Sequence, residues 1–213
     1  SDDLQGNAVI QVTPQGENCI LLYGGSNQAV DDEQIRATLA DFGQGDWLIV
    51  QNEVSGLPVM IREAAARGMR IALNPSPFVP ELLALDYGAI SWLFINEVEG
   101  RQMTDRTEPA QIAQALQGRC PALNTVLTLG KDGAWCFYGA AALYQPAYPV
   151  RALDTTAAGD TFTGFFLAAL TEGQPLEQCL RLAAAASAIS VSRAGASVSI
   201  PTRAHVDAWL AAQ

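Results

Sequence analysis

The chain has 213 residues, with 22 acidic against 12 basic side chains, a formal charge of −10 and a pI near 4.4, which excludes non-specific nucleic-acid binding built on clustered Lys and Arg. Hydrophobic residues make up 49% and charged residues only 16%, enough for a large buried core in one α/β domain. No segment reaches the length of a membrane span and no signal-peptide pattern opens the chain, so a soluble cytoplasmic protein is expected.

Ala8 to Thr13 and Asn18 to Tyr23 alternate or run apolar around Pro14-Gln15-Gly16-Glu17, which predicts a β-hairpin within 6–25. Helix and strand then alternate. Asp31 to Phe42 reads as an amphipathic helix, Trp47 to Val50 as a short buried strand, Pro58 to Arg67 as a helix ended by Gly68, and Arg70 to Leu73 as a second buried strand. A strand over Trp92 to Ile95 precedes helices over Val98 to Met103 and Pro109 to Leu116, then a strand over Thr125 to Thr128. Ala134 to Tyr138 and Ala142 to Tyr144 read as a hairpin carried on that scaffold. An apolar helix opens near Asp160, and helices over Leu176 to Val191 and Arg203 to Ala212 close the chain. This alternation implies an open, mainly parallel sheet with helices on both faces. With no repeat, low-complexity tract or linker, one domain over 1–213 is the economical organisation.

Open parallel sheets bind ligands beyond the carboxyl ends of their strands. Four predicted strands place polar or glycine residues there: Glu53, Asn74, Asn96 with Glu99, and Gly130. The four cysteines, Cys19, Cys120, Cys136 and Cys179, form neither a CxxC pair nor a metal pattern with the single His205, and read as reduced thiols. His205 itself reads as a solvated position of the last helix.

The segment Asp154-Thr155-Thr156-Ala157-Ala158-Gly159-Asp160-Thr161-Phe162 leads small residues into an acidic residue at the start of a helix. The N–H groups of such a first turn make an anion site favoured by the helix dipole. Two readings of Asp160 stand at this point. It caps the helix, as Asp often does, or it takes a proton from a hydroxyl beside a phosphoryl group, since a carboxylate is the wrong side chain for simply holding phosphate. Asn96-Glu97-Val98-Glu99 has the spacing of a capping box. In Thr128-Leu129-Gly130-Lys131-Asp132-Gly133, two glycines three apart permit close approach of a ligand or simply make a turn; the P-loop spacing is absent, and Lys131 reads as solvated. Ser190 to Pro201 fits a glycine C-cap followed by a loop.

Together these segments resemble the ribokinase-like (PfkB) carbohydrate kinases, in family order and across nearly the whole chain. DTTAAGDTF is similar to the family signature D-T-x-G-A-G-D-x-F, with Ala157 in place of the first glycine, a form ribokinases themselves often carry. The resemblance implies a ribokinase-like fold and transfer of the γ-phosphoryl of ATP to a hydroxyl of ribose or a related pentose. Asp160 would be the base, with the N–H groups of Ala157, Ala158, Gly159 and Asp160 as the anion hole. It implies that Glu99 organises Mg²⁺, that Asn96 and the Thr128, Gly130, Lys131, Asp132 and Gly133 loop lie along ATP, and that Glu53 hydrogen-bonds the sugar. It further implies a K⁺ site made by Asp154, the carbonyls of Thr156, Ser190, Arg193 and Gly195, and the Ser199 side chain.

Family members are longer at the N-terminus, where a first strand and a G-G-x-x-x-N substrate motif lie; Gly24-Gly25-Ser26-Asn27 has the wrong spacing for that motif. The chain is therefore expected to lack the N-terminal part of the family fold, with the hairpin within 6–25 belonging to or bordering a small β lid that contributes to a homodimer. Two alternatives remain open: a kinase of another acceptor (a nucleoside, a hexose or a sugar phosphate), and a nucleotide-binding protein without turnover.

Overall fold

The structure is a computed structural model that describes residues 4–12 and 18–213. The turn read over Pro14-Gln15-Gly16-Glu17 and the side chain of Cys19 lie outside the described residues. The chain divides into two compact units, Ser1–Leu93 and Phe94–Gln213. The described residues form two sheets, a two-stranded one and a mixed six-stranded one in which successive strands are neighbours in sequence order.

In the first unit, β1 (Asn7–Val12) and β2 (Asn18–Tyr23) pair antiparallel with Asn7 opposite Tyr23, as the alternating pattern predicts. Helix α1 (Asp32–Leu39) starts after Asp31, whose carboxylate accepts the Gln34 N–H at 2.8 Å, and buries Ile35 and Leu39. The next three elements form a βαβ unit: β3 (Trp47–Gln51), α2 (Leu57–Ala66) and β4 (Arg70–Asn74), with β3 and β4 parallel from Trp47–Arg70 to Gln51–Asn74. Leu57, Ile61 and Ala64 of α2 are buried, as are Ile71, Ala72 and Leu73 of β4. Burying a side chain such as Ile61 contributes roughly 1.5–3 kcal/mol.

Strand β3 departs from the expected buried strand. Only Val50 is buried, and Ile49 is 58% exposed, because alternation turns Ile49 to the opposite face from Leu48 and Val50. A continuous apolar run does not by itself reveal that one face stays open. At the start of β4 the exposed Arg70 lies over the Trp47 ring, 4.3 Å from its centroid.

Strand β5 (Trp92–Asn96) takes up the parallel pairing, with Trp92 opposite Ala72 and Leu93 opposite Leu73. The second unit continues through α3 (Glu97–Thr104), α4 (Pro109–Arg119), β6 (Asn124–Thr128), β7 (Ala134–Tyr138) and β8 (Ala141–Gln145). Strand β7 pairs antiparallel with both β6 and β8. The second hairpin therefore extends the sheet itself, where the sequence suggests only an appendage on it.

Helices α5 (Ala158–Thr171), α6 (Leu176–Val191) and α7 (Arg203–Ala211) complete the unit. The buried alanines Ala183, Ala185 and Ala186 leave little bulk on α6, which packs closely on α5. Phe166 of α5, with no exposed surface, meets Phe94 edge to face at 5.5 Å between ring centroids. Burial pushes the Cys136 thiol up to about 12 and the Cys179 thiol up to about 11. Both are free thiols, and Cys120 is buried as well.

Candidate active site

The N-terminus of α5 carries the most distinctive geometry. Ala157, just before the helix, sits at φ 59° and ψ 14°, a left-handed conformation that costs a non-glycine residue roughly 1–2 kcal/mol. Ala157, at the N-cap position, makes no side-chain bond to the helix. Asp160 occupies its third position and is exposed, a place from which a carboxylate can meet first-turn N–H groups as well as a ligand, so the position admits both readings. Among the described residues, a Cβ added at Gly159 would meet nothing within 4 Å. The chain therefore has no packing need for glycine there, and the space over the first turn is open to a ligand.

The loop ahead of α5 is fastened to the loop after α6. Asp154 accepts the Thr156 N–H on Oδ1 and the Gly195 N–H on Oδ2, both at 2.9 Å. The Leu153 and Asp154 N–H groups both donate to the Val191 carbonyl, at 2.7 and 3.2 Å. The Thr156 hydroxyl and N–H, followed by the Gly195 N–H, hold the Asp154 carboxyl below the usual carboxylate range. An ionised carboxylate on an exposed loop is of a kind that suits a cation, which is the chemistry the expected site would need. The Ser190 carbonyl already accepts the Arg193 N–H at 3.0 Å.

The Arg193 side chain turns to α7, where Nη2 lies 2.9 Å from His205 Nδ1. Nε2 of the same ring lies 3.3 Å from that Nη2. His205 is exposed as expected but has a partner.

Beneath the helix start lies a group of hydroxyls of which the sequence points only to that of Ser199. Thr161 Oγ1 reaches Ser190 Oγ at 3.4 Å, and Ser190 Oγ lies 2.8 Å from Ser199 Oγ. Ser187 Oγ donates to the Ala158 carbonyl at 3.2 Å. The available signal was two serines three residues apart in an otherwise alanine-rich helix, a spacing that puts both on one face.

The ends of β5 and β6 lie side by side, since Thr128 Oγ1 donates to the Ile95 carbonyl at 3.4 Å. At the end of β5 the capping box is formed: Asn96 Oδ1 accepts the Glu99 N–H and Glu99 Oε2 accepts the Asn96 N–H, each at 2.9 Å. Glu99 is only 5% exposed. Among the described residues no group of three or more His, Cys, Asp or Glu could hold a metal. A single buried carboxylate fits Mg²⁺ carried mainly by nucleotide phosphates and water, the usual manner for that ion.

The turn after β6 closes on itself, with the Leu129 N–H donating to the Gly133 carbonyl at 2.8 Å and the Gly133 N–H to the Gly130 carbonyl at 3.3 Å. Its two glycines differ. Gly133, at φ 93°, is buried, and a Cβ there would collide with the Gln145 carbonyl and stand 2.9 Å from Pro146 Cα. It is glycine because the chain's own backbone passes close. Gly130, at φ 55°, faces open space, with Lys131 and Asp132 exposed beside it. Tyr144 Oη donates to the Asp132 carbonyl at 2.6 Å, a fastening the sequence does not announce.

Within the first unit, Glu53 is exposed in the turn after β3, and its carbonyl accepts Gln28 Nε2 at 3.3 Å. Asn74 ends β4 and bonds the Ser76 N–H at 3.0 Å, while Asn52 donates from Nδ2 to the Pro77 carbonyl at 2.8 Å. These two turns share one strand-end rim of the βαβ unit.

A parallel βαβ unit in the first unit, and in the second a glycine-bearing helix start with an acid in its first turn, place the chain among α/β proteins with a helix start suited to an anion. The profile of the pfkB family carbohydrate kinases matches residues 1–203, and the chain belongs to that family. A ribokinase of Haemophilus influenzae is 35% identical over 214 residues, covering 95% of this chain and 68% of that enzyme. The crystal structure of ribokinase from Thermotoga maritima superposes with a TM-score of 0.82 at 30% identity, covering 99% of this chain and 71% of its own. An Arabidopsis thaliana ribokinase complexed with ribose and ATP gives a TM-score of 0.80 at 29% identity, over 98% and 70%. Among the described residues, no helix is long and apolar enough to cross a membrane.

Proposed function

We propose that this chain carries the phosphoryl-transfer site of an ATP-dependent sugar kinase whose acceptor is a hydroxyl of ribose or a related pentose. Asp160 takes the hydroxyl proton as the sugar oxygen bonds to the γ-phosphorus and the bond to the ADP oxygen breaks. The N–H groups from Ala157 to Asp160 stabilise charge on the moving phosphoryl group. The carrying observation is the α5 start itself: entered through a left-handed Ala157, open at Gly159, with an exposed carboxylate in its first turn.

The remaining roles are those the family resemblance implies. Thr128, Gly130, Lys131, Asp132 and Gly133, with Asn96, line the nucleotide, and Glu53 binds the sugar. Glu99 orders water around Mg²⁺, which neutralises phosphate charge when bound. Asp154, the carbonyls of Thr156, Ser190, Arg193 and Gly195, and the Ser199 hydroxyl hold a monovalent cation, K⁺ in preference, which steadies the loop before α5. Support for a sugar acceptor comes from the family and from the ribose and ATP bound by the Arabidopsis relative. The hairpin, with exposed Val9, Leu21, Leu22 and Tyr23, is read as a lid contact in a homodimer. The free thiols Cys136 and Cys179 support a reducing, cytoplasmic setting.

The test is a product assay with ATP over pentoses, hexoses, sugar phosphates and nucleosides, with and without K⁺. Ribose phosphate formed fastest, and faster with K⁺, is the expected result. Preference for a nucleoside, a hexose or a sugar phosphate would replace the acceptor, and ATP-analogue binding without any phosphorylated product would leave a nucleotide-binding protein without turnover.

A further inference from the structure

The hydroxyls of Thr161, Ser190 and Ser199 are almost completely removed from solvent, at 2%, 0% and 1% exposure, and each belongs to a different element. Thr161 is the residue after Asp160 in the first turn of α5, Ser190 lies in the last turn of α6, and Ser199 ends a short turn in the loop that follows. Proton counting fixes the direction of the bonds between them. Ser199 Oγ gives its single proton to the Ala196 carbonyl at 2.7 Å, so in the 2.8 Å contact with Ser190 it must accept. Ser190 therefore spends its own proton on Ser199 and accepts that of Thr161. The three hydroxyls form one polarised chain from the first turn of α5 to the Ala196 carbonyl, and every proton in it is committed.

We infer that this chain, with Ser190 at its centre, is a positioning device for the phosphoryl-transfer site, holding the first turn of α5 against the 193–199 loop. A chain of one polarity has one arrangement that satisfies every member, and in a buried site an unsatisfied hydroxyl is penalised, so the geometry is strongly selected. Its effect falls on the right place. The Thr161 N–H closes the first turn on the Ala157 carbonyl at 2.9 Å, and Ser187, one turn before Ser190, bonds the Ala158 carbonyl. Two hydroxyls of α6 thus grip the turn that carries Asp160 and its neighbouring N–H groups. None of the three side chains need touch sugar or nucleotide for this, so they are positioning residues. Their role rests on Asp160 being the base of the transfer.

The experiment compares Thr161→Val, which keeps the shape and removes the hydroxyl, with Thr161→Ser, which keeps the hydroxyl, and adds Ser190→Ala. Three quantities are measured in the purified kinase: kcat, KM for ATP, and hydrogen exchange at the amide of residue 161 without ligands. Thr161→Val and Ser190→Ala are expected to lower kcat roughly five- to tenfold, the scale of one lost neutral hydrogen bond, with KM for ATP within about twofold and faster exchange at residue 161. Thr161→Ser should restore all three. Unchanged exchange and kcat in Thr161→Val would overturn the inference, as would faster exchange with unaltered kcat, which would leave the chain a purely structural feature. Should Ser190→Ala not fold, the Thr161 pair still decides. If Asp160→Asn were fully active, the functional reading would fail on its own, while the exchange result would still report whether the hydroxyls hold the turn.

Discussion

The Asp154 carboxylate accepts the Gly195 N–H at 2.9 Å across 41 residues of chain, fastening the loop that enters α5 to the loop that leaves α6. A second carboxylate oxygen takes the Thr156 N–H, so one side chain shapes both loops.

Acid should loosen this fastening. The folded carboxyl of Asp154 is held below its usual range, so its stabilising contribution is present above the unfolded value near pH 4 and is lost as pH falls through the lower folded value. Wild-type protein should lose stability on acidification below about pH 4 more steeply than Asp154→Asn, which has no proton to take up there. Thermal denaturation across pH 2.5–6 checks this, and parallel curves would remove Asp154 as a contributor.

Ala157→Gly should stabilise the fold. Left-handed backbone costs alanine roughly 1–2 kcal/mol, and glycine's extra freedom when unfolded offsets about 0.5–1 kcal/mol of that, leaving a net gain of up to about 1.5 kcal/mol. Urea denaturation gives the value directly. A loss of stability would mean that the alanine methyl packs better than its backbone angle suggests.

Gly159→Ala should separate stability from activity. The added methyl meets nothing in the protein and lies in a helix, where alanine is better by up to about 0.5–1 kcal/mol. Placed over the anion site, it should lower kcat at least tenfold, toward the ~10²–10³ lost with one oxyanion donor. Tm and steady-state rates measured on the same preparation test both halves.

Gly133→Ala should behave in the opposite way and destabilise by about 2–4 kcal/mol, since both its backbone angles and the adjoining Gln145 carbonyl exclude a side chain. Gly130→Ala meets no such backbone and should be milder in a denaturation experiment.

The regular elements were readable because their signals are local. The apolar runs of β4 and β5 and the alanine-rich α6 declare themselves in a few residues, and α6 has the span its pattern predicts, Leu176–Val191. Of the site, the motifs located the helix start and the turns at strand ends, but not why each residue is there. Ala157 gives no hint of positive φ, since alanine ordinarily avoids it. Gly130 and Gly133 look equivalent in sequence, and only the path of the chain past Gln145 tells them apart. The hydroxyl chain joins residues 29 and 9 positions apart, and no local pattern encodes such a contact. Ile49 looked buried because a short apolar run does not say which of its two faces is covered.

Asp160→Asn is the most direct trial of the central claim. The amide keeps the size and helix position of the acid and cannot take a proton, so kcat for sugar phosphorylation should fall by roughly 10²–10⁴ while an ATP analogue binds within about twofold of its normal affinity. Turnover by the variant within about twofold of the parent would contradict the account.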